Sequence, residues 1–357
     1  MAVSTADPSS LAELIERYEE HARASLPAEA YDFIATGAAE EISQREAVES
    51  WRRYRLRPHV LRDVASVDTS LTLCGLQLDA PVVVAPTAFH TLAHPEGEVE
   101  TARGVRAAGG LMTVATRAAT PHQAIAAALD GPWWFQVYVV RERDITRRQA
   151  EEAATLGARA LVLTGDAPVL SKRARGMAPP LTGEQLLMPF LRFLGPDSEL
   201  MYATSQDPTV GLDAIGWLRD ASGLPVLVKG VLRADDAVAC VEAGAAGVIV
   251  SNHGGRQLDR AVAPPTALPE VAAAVGGRAA VLVDGGIRNG IDALIGLALG
   301  ADAVLLGRPV LWALATEGAA GVERVLRTLV EELTAAMALA GVTQLADLSP
   351  DLVTAAG

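Results

Sequence analysis

The side chains best suited to chemistry gather in one short stretch, Ser251-Asn252-His253-Gly254-Gly255-Arg256-Gln257-Leu258-Asp259. An imidazole can accept a proton near neutral pH, and a guanidinium three residues later can grip a carboxylate through two parallel hydrogen bonds. The intervening glycines let the backbone bend sharply and pass close to a ligand. No bulky apolar side chain interrupts the stretch before Leu258. A surface turn with a chance histidine is the bland account, and the company of Arg256 and the glycines weighs against it. The preceding run, Ala246-Gly247-Val248-Ile249-Val250, is fully apolar and reads as a buried parallel strand. A base and an anion clamp at the C-terminal end of such a strand make an active-site arrangement.

A second group lies downstream. Asp284-Gly285-Gly286-Ile287-Arg288 and Gly307-Arg308 are glycine-rich turns, each with an arginine, and each follows an apolar run. Singly, each glycine reads as a tight turn. Together, after the last two strands of a barrel, they form the usual phosphate site of that architecture. Phosphate beside a cationic, histidine-containing pocket fits a mononucleotide. No Gly-x-Gly-x-x-Gly follows a strand, so bound NAD is not expected.

Positioning these groups requires a regular scaffold, and the chain supplies its pattern. Eight apolar runs read as buried strands: 81–85, 111–116, 133–138, 158–164, 225–229, 246–251, 279–284 and 303–307. Helical patterns alternate with them, as at 98–108, 121–129, 144–156, 234–243 and 290–299. The expected fold is α/β, a (β/α)8 TIM barrel with an N-terminal helical extension and a long lid in the fourth loop. A doubly wound open sheet is the alternative. It would concentrate polar residues at a switch point, whereas here they end all eight strands. The whole chain, 1–357, is expected to form one domain, with a barrel core of about 81–310, N-terminal helices at 10–52 and C-terminal helices at 316–357. Ser10 is a candidate cap for the first helix, a second helix holds Ala30-Tyr31-Asp32-Phe33-Ile34, and Thr69 to Cys74 resembles a strand of a small lid hairpin. The segment from Leu170 to Leu212 is too long for an ordinary loop, and its apolar run Leu186-Leu187-Met188-Pro189-Phe190-Leu191 suggests a lid.

Bulk properties narrow the partners. The net charge of −13 argues against nucleic acid or an anionic membrane surface. No apolar run reaches the ~18 residues needed to span a bilayer. The amino end lacks a basic start and an apolar core, so no signal peptide is expected, and the location expected is the cytoplasm. Cys74 and Cys240 have no metal-ligand spacing, and no metal is expected.

The run SNHGGRQLD resembles the signature of the FMN-dependent 2-hydroxy acid oxidising family, and the similarity extends from about Tyr31 to about Ala340. The resemblance implies oxidation of an (S)-2-hydroxy acid to the 2-oxo acid, with FMN as cofactor. The reduced flavin would pass its electrons to oxygen, giving hydrogen peroxide, or to another acceptor. By the same resemblance Ala88, Gln136, Thr164, Lys229, Ser251, Asp284, Gly286, Arg288, Gly307 and Arg308 would contact FMN. Lys229, with no acid near it in sequence, would suit the electron-rich edge of the reduced ring, though a lysine ending a core strand can also be a buried ion-pair partner. His253 would be the base, and Asp166 would hold its far ring nitrogen and stabilise the imidazolium. Arg256 and Arg173 would bind the substrate carboxylate, with Tyr31 and Tyr138 near substrate. The family's assembly implies a homo-oligomer, a tetramer.

Three positions depart from the family pattern. Ala115 stands where serine is frequent, Arg117 stands where glycolate oxidase-like members carry tryptophan, and Ala174-Arg175-Gly176-Met177-Ala178 lacks the usual charge pattern. Arg117 therefore brings an additional cation to the pocket edge, unless it turns outward to a surface acid. Two other readings compete with the oxidase. A different FMN barrel chemistry would keep the phosphate site but leaves His253, Arg256 and Arg173 unexplained together. A non-catalytic flavin-binding protein would be expected to lack the base or the clamp, and neither is missing.

Overall fold

The computed structural model describes residues 8–173, 175, 189–194 and 199–356. Half of the expected apolar run of the lid, residues 186–188, lies outside them, as do 174 and 176–178. Eight parallel strands close a barrel: β4 (Val82–Val84), β5 (Leu111–Val114), β6 (Trp133–Val137), β7 (Ala158–Thr164), β8 (Val226–Val231), β9 (Gly247–Val250), β10 (Ala280–Asp284) and β11 (Ala303–Leu306). The ring closes where β11 pairs with β4, Leu305 opposite Val83. A parallel barrel is covered on both faces, which is why its strands are mostly apolar. The period of two still sorts them. Val83, Trp134, Val162, Leu227, Ile249 and Leu305 fill the interior. Val84, Phe135, Leu163, Val228, Val250 and Leu306 face the surrounding helices. Burial of an interior side chain as large as Trp134, fully inaccessible, is worth about 3–5 kcal/mol against alanine.

Before the barrel come α1 (Leu11–Ser25), α2 (Ala28–Ala35), α3 (Ile42–Trp51) and β1 (Tyr54–Leu56). Ser10 caps α1 as expected, its hydroxyl accepting from the Glu13 amide at 3.3 Å. The hairpin of β2 (Leu71–Leu73) and β3 (Leu76–Leu78) packs Leu73 and Leu78 onto the interior cluster beside Leu111 and Ala303, which begin their strands. It plugs the N-terminal mouth, opposite the strand ends that carry the polar residues.

Helices α4 (Gly97–Ala107), α5 (His122–Leu129), α6 (Arg143–Thr155), α7 (Leu200–Ala203), α8 (Asp213–Ser222), α9 (Ala234–Glu242), α10 (Pro264–Val275) and α11 (Gly290–Ala298) follow in order. The last, α12 (Arg308–Ala340), starts at Arg308 rather than near 316 and bends at Gly318, which has φ 59°. It ends at Gly341, and β12 (Val353–Ala355) returns to pair with β1. Among the described residues no helix is long and apolar enough to cross a membrane.

Candidate active site

One pocket opens at the C-terminal ends of the barrel strands, and most of the candidate residues line it. Ala88 follows β4, Arg117 follows β5, and Gln136 and Tyr138 come from the end of β6. Thr164 and Arg173 come from β7 and its loop, Lys229 from β8, and His253 and Arg256 from the turn after β9. Asp284, Gly286 and Arg288 follow β10, while Gly307 and Arg308 follow β11.

Two of the expected residues act from behind the wall. Asp166 does not line the pocket; its Oδ1 meets His253 Nδ1 at 2.9 Å. Burial pushes the Asp166 carboxyl up, but His253 and Lys229 outweigh it and hold it below its ordinary range. The pair depends on Gly230, where β8 bulges and φ is +105°. A Cβ there would sit 2.5 Å from Asp166 Cβ, so any other residue would displace the carboxylate. Ser251 is fully buried, and its hydroxyl accepts from Lys229 Nζ at 2.8 Å and from the His253 amide at 3.0 Å. That contact helps hold His253 at φ 58°, a left-handed conformation costly for a residue with a side chain. Nδ1 being engaged, Nε2 is the nitrogen left to face a substrate.

Lys229 is not unpaired. Its Nζ lies 3.0 Å from Asp284 Oδ2, both groups nearly inaccessible, and the two residues are far apart in sequence. Burial pulls the ammonium down, yet Asp284 and Asp166 more than compensate and raise it. The other oxygen, Asp284 Oδ1, is buried without a hydrogen-bond partner. An unsatisfied buried carboxylate oxygen costs about 1–3 kcal/mol or more, so it marks a place where a donor belongs.

The arginines divide by their partners. Arg256 Nη1 donates to the carbonyls of Ile34 at 3.0 Å and Thr36 at 2.7 Å, and Nη2 to Phe33 at 2.9 Å. Arg308 donates to Ile34 and Thr36, each at 3.2 Å, and to Gly254 at 3.0 Å. The carbonyls of Phe33, Ile34 and Thr36 end α2, where a helix leaves acceptors unpaired and favours cations. The N-terminal helices therefore complete the pocket. Arg256 is left with two of its five N–H donors for a carboxylate. Burial, with repulsion from Arg173 and Arg308, pulls its guanidinium well below the usual range. Burial and Arg288 bring Arg308 down to about 10.

The glycines serve a purpose beyond the one expected. A Cβ on Gly286 would lie 2.0 Å from the Ala47 carbonyl, and one on Gly255 would lie 2.4 Å from the Gln44 amide. The close approach they permit here is by α3. Trp51 at the end of α3 fastens the same turn, its indole N–H donating to the Gly285 carbonyl at 2.8 Å.

Tyr31 does not reach the pocket. Its ring stacks on Trp312 with centroids 5.3 Å apart, and its hydroxyl accepts from Arg23 Nη2 at 2.8 Å and donates to Glu19 at 3.1 Å. Phe33 lines the pocket instead. Two residues along a helix is a rotation of about 200°, so the two rings face opposite ways. The signal was present in the sequence: Ala30, Tyr31, Ile34 and Ala35 share the spacing of a core face, and Phe33 falls outside it. The Arg173 and Arg256 guanidiniums lie 5.3 and 5.6 Å from the Phe33 ring centre. Gln206 also lines the pocket and was not singled out, because nothing in its local sequence marks it. Arg117 turns inward, 5.7 Å from the Tyr138 ring centre, and donates to Gln206 Oε1 at 3.4 Å.

The residues present fit FMN. Arg308 opens α12, a ready anion site, Arg288 lies in the turn between β10 and α11, and the side-chain hydrogen bonds of both in the fold are to backbone carbonyls. A Cβ on Gly307 would make only ordinary contact with Thr87, at 3.7 Å, and Ala85, at 3.9 Å. The orphaned Asp284 oxygen and the Lys229 ammonium supply polar contacts deeper in the pocket.

Comparison with known proteins agrees with this arrangement. The family model described as FMN-dependent dehydrogenase matches residues 22–355. An L-lactate oxidase from Nostoc sp. is 42% identical over 350 residues, covering 93% of this chain and 95% of that protein. Glycolate oxidase 1 from Oryza sativa subsp. indica is 40% identical over 349 residues, covering 94% of each. A crystal structure of mandelate oxidase superposes with a TM-score of 0.88 at 38% identity, covering 98% of each chain.

Proposed function

The chain belongs to the FMN-dependent dehydrogenase family, and on that premise we propose that it oxidises an (S)-2-hydroxy acid to the 2-oxo acid with His253 as the base. The observation that carries this reading is the Asp166–His253 pair at 2.9 Å, which holds His253 in a pocket also lined by Arg173 and Arg256. Arg173 and Arg256 orient the substrate carboxylate, and Phe33 holds both guanidiniums over its ring face. His253 Nε2 then takes the proton of the 2-hydroxyl. Asp166 fixes the tautomer that makes Nε2 the acceptor and stabilises the imidazolium once formed. Tyr138 lies beside the same site, its phenol kept neutral because burial pushes it above its ordinary value. Lys229, Asp284, Gln136 and Thr164 would hold the ring of FMN, and Arg288, Arg308 and the start of α12 its phosphate. When bound, FMN would supply the two-electron acceptor for the hydrogen and electron pair leaving the 2-carbon, with oxygen or another acceptor as the final oxidant.

The finer statements are part of the same proposal: a homotetramer acting in the cytoplasm. Val60 and Leu61, 77% and 102% exposed, support an assembly in which a neighbouring copy covers them. The test of the function is anaerobic mixing of the yellow holoprotein with (S)-lactate, glycolate, (S)-mandelate and (S)-malate. Bleaching of the flavin by at least one supports the reading; a flavin that no 2-hydroxy acid reduces refutes it.

A further inference from the structure

The pocket holds more positive charge than FMN and one carboxylate require. Lys229 is matched by Asp284. Arg288 and Arg308 suffice for a phosphate, and Arg173 and Arg256 for the carboxylate of a 2-hydroxy acid. Arg117 remains. It is half-buried at the end of β5, and among the described residues it meets no carboxylate. Of its five N–H donors, one reaches a described acceptor, Gln206 Oε1.

The guanidinium is nevertheless held in place. One contact is the Tyr138 ring. The other, Gln206, is itself pinned beside the continuation of β6 by a bridge to Val140, with the Asp207 amide donating to the Val139 carbonyl at 2.9 Å. Arg117 also repels Arg173, so the two cations share one field. A cation withdrawn from water, facing another cation and held by a neutral amide, is costly unless an anion arrives. Stacking on an aromatic substrate is a weaker use of this group, because Tyr138 already provides its ring contact.

We propose that the pocket takes a 2-hydroxy acid carrying a second carboxylate, with Arg117 as the clamp for the distal group. This rests on the 2-hydroxy acid reading above and adds the substrate class to it. Arg173 and Arg256 hold the carboxylate next to the reacting carbon, and Arg117 with Gln206 selects what lies at the other end of the chain.

Equilibrium binding separates this inference from catalysis. Succinate and glutarate, with butyrate and pentanoate as partners of equal length, are titrated into the holoprotein while the flavin spectrum is followed. The expected result is diacid binding roughly 10- to 100-fold tighter than monoacid, the value of one charge-assisted contact. In Arg117→Leu that ratio falls towards one, and Arg117→Lys keeps part of it, which guards against a mere folding defect. Flavin reduction by (S)-malate and (S)-2-hydroxyglutarate should exceed that by (S)-2-hydroxybutyrate in the same ratio. Equal binding of diacid and monoacid, or a diacid preference that survives Arg117→Leu, overturns the clamp. If monoacids bleach the flavin and diacids do no better, the clamp alone falls. If neither class bleaches it, the 2-hydroxy acid reading falls with it.

Discussion

Arg256 and Arg308 each meet backbone carbonyls at the end of α2, while Arg117, at the end of β5, meets a ring face and one amide oxygen. The carbonyls come from a helix that packs on α1 and α12, and the α3 that follows it is fastened to the turn after β10 by Trp51. Geometry on that side is set by many contacts, so no single side chain decides it. On the Arg117 side a few contacts set the geometry, and each can change without disturbing the barrel. The difference separates the groups that must be placed accurately for proton transfer from those that can vary with the substrate.

Substitution can break this division, and the largest effect is expected at the base. His253→Asn removes the proton acceptor but leaves the arginines and glycines in place. Flavin reduction in anaerobic stopped flow should slow by about 10²–10⁴-fold while FMN stays bound. A wild-type rate would transfer the role of base to another residue.

Arg308→Leu comes next, because it strikes the densely connected side. It deprives the FMN phosphate of a cation and leaves the α2 carbonyls with one guanidinium fewer. FMN affinity, measured by dialysis and reconstitution, should fall about 10- to 100-fold, and Tm should drop with it. The same leucine at 117 should leave both quantities close to wild type. Equal losses at the two positions would erase the contrast.

Phe33→Leu should have the smallest effect. It removes the ring face from two arginines, each contact worth about 0.5–1 kcal/mol, and should raise KM for the 2-hydroxy acid roughly 2- to 10-fold. A collapse of kcat with KM unchanged would show that Phe33 acts on the reacting atoms rather than on carboxylate binding.

The eight strands were legible because each is a mostly apolar run, and Ala158–Thr164 matches its strand to the residue despite Arg159. His253, Asp166 and the two glycine-arginine turns were legible for a related reason: a barrel strand's C-terminal end has a predictable place. Phe33 was harder, since its role depends on which face of a short helix meets the pocket. Gln206 was out of reach, because the bridge to Val140 that places it leaves no mark in either sequence. The Lys229–Asp284 pair was equally hidden, its partners lying on different strands.

The grip of α2 on the two arginines bears on how the molecule is made. Thr36 and Arg256 are 220 residues apart, and Ile34 and Arg308 are 274 apart. A ribosome adding about 5–20 residues per second releases the helix many seconds before its last partner emerges. During that interval α1 and α2 can form locally, but the carbonyls at the end of α2 have only water to accept from. The pocket is therefore assembled near the end of synthesis, when the opening of α12 leaves the exit tunnel. Nascent chains stalled before Arg308 would carry His253 and Arg288 and still lack Arg308 and the start of α12, so cofactor capture should wait until translation is nearly complete.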